Sequence, residues 1–337
     1  MKKFIKYSII FCLPFLLWVV TYIVTDPFKA LWHHEVYYDS ISIYPMNIPL
    51  ISTMTYVNQR KKYHYDSFIF ENSRSLFYDV KDWEKYLPQH NTCFHFWTSG
   101  GYIKSWHDKV RFIDENHDTI KNALCVLDHD ALSLLENKTF WRSIEPPILD
   151  YYSNWKDFQL SHFKAFCDMR FIVCFIDYKI FGKYRSYMKQ YLLNPLRREK
   201  YDIITNERRS PDAEEKIANG TYYDAEHMKV FENVQKPGTF SKHILTQEER
   251  RLIREIREIF DRHHTNYEIV LGPQYDQIKL NDDTMNFLYE TFGQEHVHDF
   301  TGVNKWTSDY HNYYESSHYR PCVAREIMEL VYKKQNK

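Results

Sequence analysis

Five short apolar runs, set between longer stretches with helical spacing, constrain this chain more than anything else in it. Ser67–Phe70, Thr92–Trp97, Ala123–Leu127, Tyr267–Leu271 and His296–Phe300 are each nearly continuous in apolar character. Strands that read this way are covered on both faces, as in parallel sheets. The segments between them carry the period of amphipathic helices. Thr246–His264 is the clearest: Thr246 and Glu249 form a capping box, and Leu252, Ile253, Ile256, Ile259 and Phe260 fall on one face. Pro321 can occupy the first turn of a last helix that points Val323, Ile327, Leu330 and Val331 inward. Strands alternating with helices predict a parallel, three-layer α/β/α sheet.

The N-terminus constrains the surroundings. Lys2, Lys3 and Lys6 precede Tyr7–Thr25, a run of 19 residues without a charge, which Asp26 ends. As a helix it spans roughly 28 Å, close to the thickness of a bilayer's hydrocarbon core. Eleven of the 19 are Leu, Ile, Val or Phe, and Pro14 is tolerated in such a helix. The lysines hold their end in the cytoplasm and send Asp26 to the far side. Small residues in an A-x-A-like pattern would mark a cleaved signal peptide, and Val19–Lys29 offers none. The expectation is an uncleaved, single-pass anchor in a bacterial inner (cytoplasmic) membrane, with the lipid bilayer as a partner and the C-terminal domain extracytoplasmic.

The organisation predicted is a tail and anchor at 1–25, a stalk or edge segment at 26–63, and an α/β domain at 64–337. The stretch between the third and fourth strands is far longer than one crossover needs, so about 130–245 is read as a mainly helical insertion. Within it, Asn206–Gly220 reads as a polar loop. The net charge of −1 and the lack of a long basic run argue against a nucleic-acid partner. With 8 Gly and no Gly-rich phosphate motif, nucleotide loops are not expected. Cys93, Cys125 and Cys174 sit in apolar runs as small hydrophobes, no C-x-x-C occurs, and room for one disulfide stays open. His33-His34, His263-His264 and His296-x-His298 lack a carboxylate at metal-ligand spacing, so neither a metal nor another cofactor is expected.

Three pieces carry chemistry. Asp66–Tyr78 reads D-S-F-I-F-E-N-S-R-S-L-F-Y, an apolar strand followed at once by small polar residues. At the carboxyl end of a parallel strand, a serine can be presented on a tight turn. Asn72, Ser73 or Ser75 could equally cap a helix there. Trp97-Thr98-Ser99-Gly100-Gly101 follows the second strand, where glycines let backbone N–H groups approach a ligand. Near the C-terminus, Glu315 lies three residues before His318, so a carboxylate can orient an imidazole that accepts a serine proton. Asp309 is a second carboxylate for that role. Gly272-Pro273-Gln274-Tyr275-Asp276 leaves the fourth strand at the same sheet edge. Tyr310, Tyr313, Tyr314 and Tyr319 read either as packing or as aromatic faces for a sugar.

The order of these pieces resembles the SGNH (GDSL-like) hydrolase superfamily, and in particular its membrane-anchored bacterial branch. Asn72-Ser73-Arg74-Ser75 is similar to the family's first block, Gly100 to the glycine of the second, and Glu315-x-x-His318 to the final Asp-x-x-His. The resemblance implies a flavodoxin-like parallel sheet. It implies Ser73 as nucleophile, His318 as base and Glu315 as its partner, with the N–H groups of Ser73 and Gly100 as the oxyanion hole. Asn72, Glu71, Ser75, His129 and Asp309 would line the site. The chain departs from the pattern in three places. Glu71 stands where the first block opens with Gly. Leu127-Asp128-His129-Asp130 stands where a Gly-x-Asn-Asp would supply an oxyanion donor, a role His129 could take. Glu315 replaces Asp. The function implied is a serine esterase or O-acyltransferase acting through an acyl-enzyme on extracytoplasmic polysaccharide or a small ester, beside a membrane-bound O-acyltransferase. The alternative is a non-catalytic assembly or binding partner of such a system on the same scaffold.

Overall fold

The five apolar runs are the five strands of one parallel sheet. They are β1 (Ser67–Glu71), β2 (Cys93–Trp97), β3 (Asn122–Leu127), β6 (Asn266–Leu271) and β7 (Val297–Asp299). Two antiparallel ribbons lie outside it: β4 (Lys200–Asp202) with β5 (Glu207–Arg209), and β8 (Tyr313–Glu315) with β9 (His318–Tyr319). The structure, a computed structural model, describes residues 1–88, 90–133, 141–149, 154–232 and 238–333. Its α-helices are α1 (Lys2–Thr25), α2 (Ile48–Tyr63), α3 (Val80–Trp83), α4 (Ile103–Glu115), α5 (Trp155–Phe166), α6 (Met169–Phe181), α7 (Asp212–Ala218), α8 (Ala225–Met228), α9 (Gln247–His263), α10 (Asp282–Phe292) and α11 (Pro321–Lys333).

The sheet order is β2-β1-β3-β6-β7, and every neighbouring pair is parallel. The chain starts in the interior, steps to one edge, then crosses back, so the winding reverses between β1 and β3. In open α/β sheets, ligands bind at such a crevice, beyond the carboxyl ends of the strands. Glu71 is level with both Trp97 and Val126, so the segments after β1, β2 and β3 emerge side by side.

Alternation within the strands sorts their side chains onto two covered faces. On one, Tyr56 of α2 packs edge-on against Phe68 and Phe94, with ring centroids 5.9 and 5.4 Å apart. On the other, Ile69, Leu124, Val126 and Val270 join Val323, Ile327 and Val331 of α11 in one apolar cluster. Burying each such side chain is worth about 1.5–3 kcal/mol. Leu330, predicted to face inward, is instead 43% exposed. The buried stripe of α11 advances through Val323/Ala324, Ile327/Met328 and Val331/Tyr332, which leaves Leu330 off its edge. The capping box of α9 is present: Thr246 Oγ1 accepts from the Glu249 N–H at 3.2 Å, and Glu249 Oε2 accepts from the Thr246 N–H at 2.7 Å.

The chain divides into two units, Met1–Ile51 with Lys138–Arg197 and Ser52–Asn137 with Arg198–Lys337. The stretch predicted as one insertion is thus shared between them. Asn206–Gly220, expected to be loop, contains β5 and α7. No apolar periodicity announces α7. Its first turn carries Asp212, Glu214 and Glu215, and Arg198 pairs with Asp212 and Glu215, with its closest approaches at 2.5 and 2.6 Å.

In the first unit, Lys6–Thr25 of α1 is long and apolar enough to cross a membrane. The helix runs unbroken through Pro14. Asp26 closes it in the left-handed region (φ 35°), and its carboxylate accepts N–H groups of Ala30, Leu31 and Trp32 at 2.9–3.1 Å and His34 Nε2 at 2.8 Å. Within 26–63, read from sequence as a stalk or edge segment, Ile48–Tyr63 is helical. All six cysteines are free thiols.

Candidate active site

The site is assembled at the carboxyl edge of the sheet, within the α/β unit. β1 ends at Glu71, and Asn72 turns the chain into a short 3-10 segment, Ser73–Phe77. Asn72 is the cap: its Oδ1 accepts from the Arg74 N–H at 2.9 Å. Capping therefore falls to Asn72, and the Ser73 hydroxyl is turned elsewhere. It donates to His318 Nε2 at 2.7 Å across 245 residues of sequence.

His318 owes its setting to the β8–β9 hairpin. Glu315 and His318 are directly paired across a turn made by Ser316 and Ser317, which accounts for the three-residue spacing. Glu315 Oε1 accepts the proton of His318 Nδ1, and the Ser317 hydroxyl donates to the same carboxylate at 2.9 Å. With Nδ1 protonated, Nε2 keeps its lone pair for Ser73. Phe77 lies edge-on to the imidazole, centroids 5.7 Å apart, and restrains the ring. Burial pushes the Glu315 carboxyl up, but its bonds to His318 and Ser317 outweigh that and hold it below the ordinary carboxylate range. Asp309, the other acid considered for His318, is bonded instead to His311 Nδ1 at 2.7 Å. It sits on the approach to β8 and not on the hairpin, which is why it faces a different imidazole.

Around this pair the remaining residues fall into two sets. One is a polar strap. Buried Asp128, just past β3, accepts from Asn72 Nδ2 at 2.7 Å and from Arg74 Nη1. Arg74 also reaches Asp130 Oδ2 at 3.2 Å, Gln274 Oε1 at 3.3 Å and the Ser317 carbonyl at 3.1 Å. The guanidinium thus ties the serine turn to the loops after β3 and β6 and to the hairpin carrying His318. Burial lowers the Arg74 pKa, while Asp128 and Asp130 more than compensate, so it stays a cation.

The other set lies beneath the turn. The Ser75 hydroxyl donates to the Asn72 carbonyl at 2.8 Å, and its oxygen accepts from His95 Nε2 at 2.9 Å. His95 is buried in β2, and burial with the Lys109 and Arg209 charges pulls its pKa down to about 3. It is a neutral donor supporting the turn.

His129 does not face Ser73. Its ring nitrogens are taken up by Asp130 at 3.0 Å and Asp276 at 2.9 Å. Burial opposes its charge, but the two carboxylates raise its pKa to about 10 and draw Asp130 down to about 2. The idea that His129 supplies an oxyanion donor is therefore set aside: both N–H groups are already committed.

Glu71 and the glycine pair complete the site. Glu71 is fully buried at φ 108°, a backbone region that favours glycine. Gly100 needs its freedom because it turns at φ 68°. Gly101 needs its missing side chain: a Cβ there would lie 2.6 Å from Thr98 Cγ2 and 2.7 Å from Glu71 Oε2. The Glu71 carboxylate thus fills the space where Gly101 leaves the turn.

Of the tyrosines, Tyr313 and Tyr319 are core residues, and the Tyr314 hydroxyl donates to Glu214 at 2.7 Å. Arg74, Asp128 and His95 were given no site role from sequence, whereas Gln274 lies in the segment after the fourth strand that was read as reaching the same sheet edge. A histidine inside an apolar strand run, and an acid directly after one, are the signals that mark two of them.

Compared with protein-family models, with curated proteins and with solved structures, the chain finds no match in any of the three.

Proposed function

We propose that this chain is a serine-dependent esterase or O-acyltransferase working through an acyl-enzyme, on the SGNH type of α/β scaffold. The observation that carries the reading is the 2.7 Å contact between the Ser73 hydroxyl and His318 Nε2, with Glu315 on the other ring nitrogen. Serine, imidazole and carboxylate in that order are recognised by geometry and roles, whatever the fold.

The chemistry follows from these positions. His318 Nε2 takes the hydroxyl proton as Ser73 Oγ bonds to the acyl carbon. Charge collects on the former carbonyl oxygen, which the N–H groups of Ser73 and Gly100 would stabilise at the strand ends. The tetrahedral species collapses, the ester C–O bond breaks, and the imidazolium returns its proton to the leaving alkoxide. Water or a sugar hydroxyl then attacks the acyl-enzyme, His318 takes its proton, and Ser73 departs with that proton restored. Glu315 holds the ring in the required tautomer and offsets the imidazolium charge.

The resemblance of the blocks and the apolar N-terminal helix together support an enzyme tethered by one pass to a bacterial cytoplasmic membrane. Its domain would face outward, its substrate would be an acylated cell-surface polysaccharide, and a membrane-bound O-acyltransferase would be its partner. The test is turnover of a chromogenic acetate ester by the full-length protein in detergent micelles. Ser73→Ala should lower the rate by on the order of 10⁴-fold or more. Equal rates for the variant and the parent would remove Ser73 from the reaction. A second reading, a non-catalytic binding partner, draws on one observation: the buried Glu71 carboxylate beside the Gly100-Gly101 turn. It requires that the parent protein itself show no ester turnover.

A further inference from the structure

Helix α6 has no polar face. Its inward side carries Phe171, Cys174 and Phe175; Phe171 stacks on Phe175 at 6.0 Å and leans on Phe166 at 5.6 Å. Its outward side carries Met169, Val173, Ile176 and Ile180, at spacings of four, three and four residues. These are 69%, 56%, 45% and 68% exposed. The charges Arg170, Asp177 and Lys179 flank this stripe and leave it apolar from end to end. Arg170 bonds to Asp168, and Asp177 to Arg185 and Tyr187. A helix apolar on both sides belongs in a core or in lipid, and a soluble surface seldom leaves such a stripe uncovered.

The position of α6 within its unit says which. Trp18 of α1 stacks on Phe166 at 4.4 Å and meets the ring of Phe175 edge-on at 5.7 Å. Its indole nitrogen also donates to the Phe166 carbonyl at 3.3 Å. Tyr22 packs on Phe163 and Phe166 at 5.2 and 5.1 Å. Trp18 stands seven residues before Thr25, where the apolar span ends. At about 1.5 Å per residue that is roughly 10 Å inside the span, while half a bilayer's hydrocarbon core is about 15 Å thick. Phe166, the last residue of α5, stacks on Trp18 and Phe175 of α6 meets its edge, so both rings lie near that depth. Thirteen residues are too few for α6 to cross a bilayer itself.

We infer that α6 is a second membrane-contacting element, lying along the outer half of α1 with Met169, Val173, Ile176 and Ile180 sunk in the acyl chains of the outer leaflet. The inference rests on α1 crossing the membrane. Beyond its C-cap, Lys183, Tyr184, Arg185, Tyr187 and Lys189 provide the mixture of aromatic and basic side chains that suits the headgroup layer. The chain is therefore held by one pass plus one helix that enters the outer leaflet without spanning it. This restrains the orientation of α1 and of everything packed on it.

The test is photolabelling with an apolar, lipid-partitioning aryl diazirine. The full-length protein is reconstituted in phosphatidylcholine–phosphatidylglycerol vesicles and the label located by peptide mass spectrometry. The expected result is label in peptides from both α1 and α6, several-fold above the peptide covering α9. Label in α1 with none in α6 overturns the inference and leaves the anchor standing. Label in neither overturns the anchor as well. Label in α6 in purified vesicles that vanishes in native membranes also overturns it, because a protein partner would then cover the stripe. The double variant Val173→Lys/Ile180→Lys, with an unchanged circular-dichroism spectrum, should lose label in α6 while keeping it in α1. Undiminished α6 label in that variant counts against the stripe as the buried face.

Discussion

Two side chains in this site carry most of what can be said residue by residue. Glu71 sits at φ 108° and is buried. For a residue other than glycine such a backbone costs about 1–3 kcal/mol and persists only where the surroundings enforce it. Here the β1 ladder ends on it, and the Glu71 carbonyl accepts the Thr98 N–H at 3.0 Å. The strain is localised at the step into the serine turn. His129 sets a pH signature. Its folded-state pKa of about 10 lies above the ordinary 6.5. The stabilisation from its pairing is therefore fully present below 6.5 and is lost as pH rises through about 10. His129→Gln should cost about 1.5–3 kcal/mol at the acid end of that window, the range for hydrogen bonds to charged groups. The cost should shrink towards zero at the alkaline end. Urea unfolding of parent and variant at both ends measures this, and a pH-independent difference contradicts the assignment.

Among the elements, a five-residue 3-10 turn and a hairpin with a two-residue turn bring Ser73 to His318. Neither is stable alone: short 3-10 segments have poor hydrogen-bond geometry, and isolated ribbons are marginal in water. Arg74 joins them, bonding to Asp128 on one side and to the Ser317 carbonyl on the other. The side chain of Asp128 is 1% exposed, so removing its cation leaves a buried carboxylate. Arg74→Ala should destabilise the protein by about 3–5 kcal/mol and lower ester turnover with it. Arg74→Lys keeps the charge without the fork and should recover only part of both. Chemical denaturation alongside the ester assay checks this. A variant with unchanged stability would mean that Asp128 draws its compensation elsewhere.

For the whole molecule, the unit of 1–51 with 138–197 is the one that carries both apolar helices, α1 and α6. With the charge-free span of α1 and the apolar stripe of α6 both in a bilayer, as inferred above, hydrophobic contact and not surface charge would dominate attachment. Alkaline carbonate, which strips proteins held by charge, should leave the chain in the membrane pellet, and detergent should release it. Release by carbonate alone would contradict both helices as membrane elements.

How much of this was legible beforehand follows from the range of each interaction. The five strands, the α9 cap, the apolar N-terminal helix and the helix begun by Pro321 are local patterns of period, cap and breaker, and one sequence carries them openly. Helix α7 and the α2 portion of the stalk were not legible, because neither shows a clear apolar period and tertiary contacts stabilise them. The amino-acid order alone put Ser73 after a strand and His318 three residues after Glu315. That the two would meet depended on the sheet winding back between β1 and β3 and on one hairpin folding over the serine turn. The Arg74–Asp128 strap, the His95 support, the diversion of His129 to Asp276 and the contact of Phe175 in α6 with Trp18 join residues 20 to about 160 positions apart. No spacing rule links such pairs; they exist only once burial makes each unsatisfied polar or apolar group seek a partner in three dimensions.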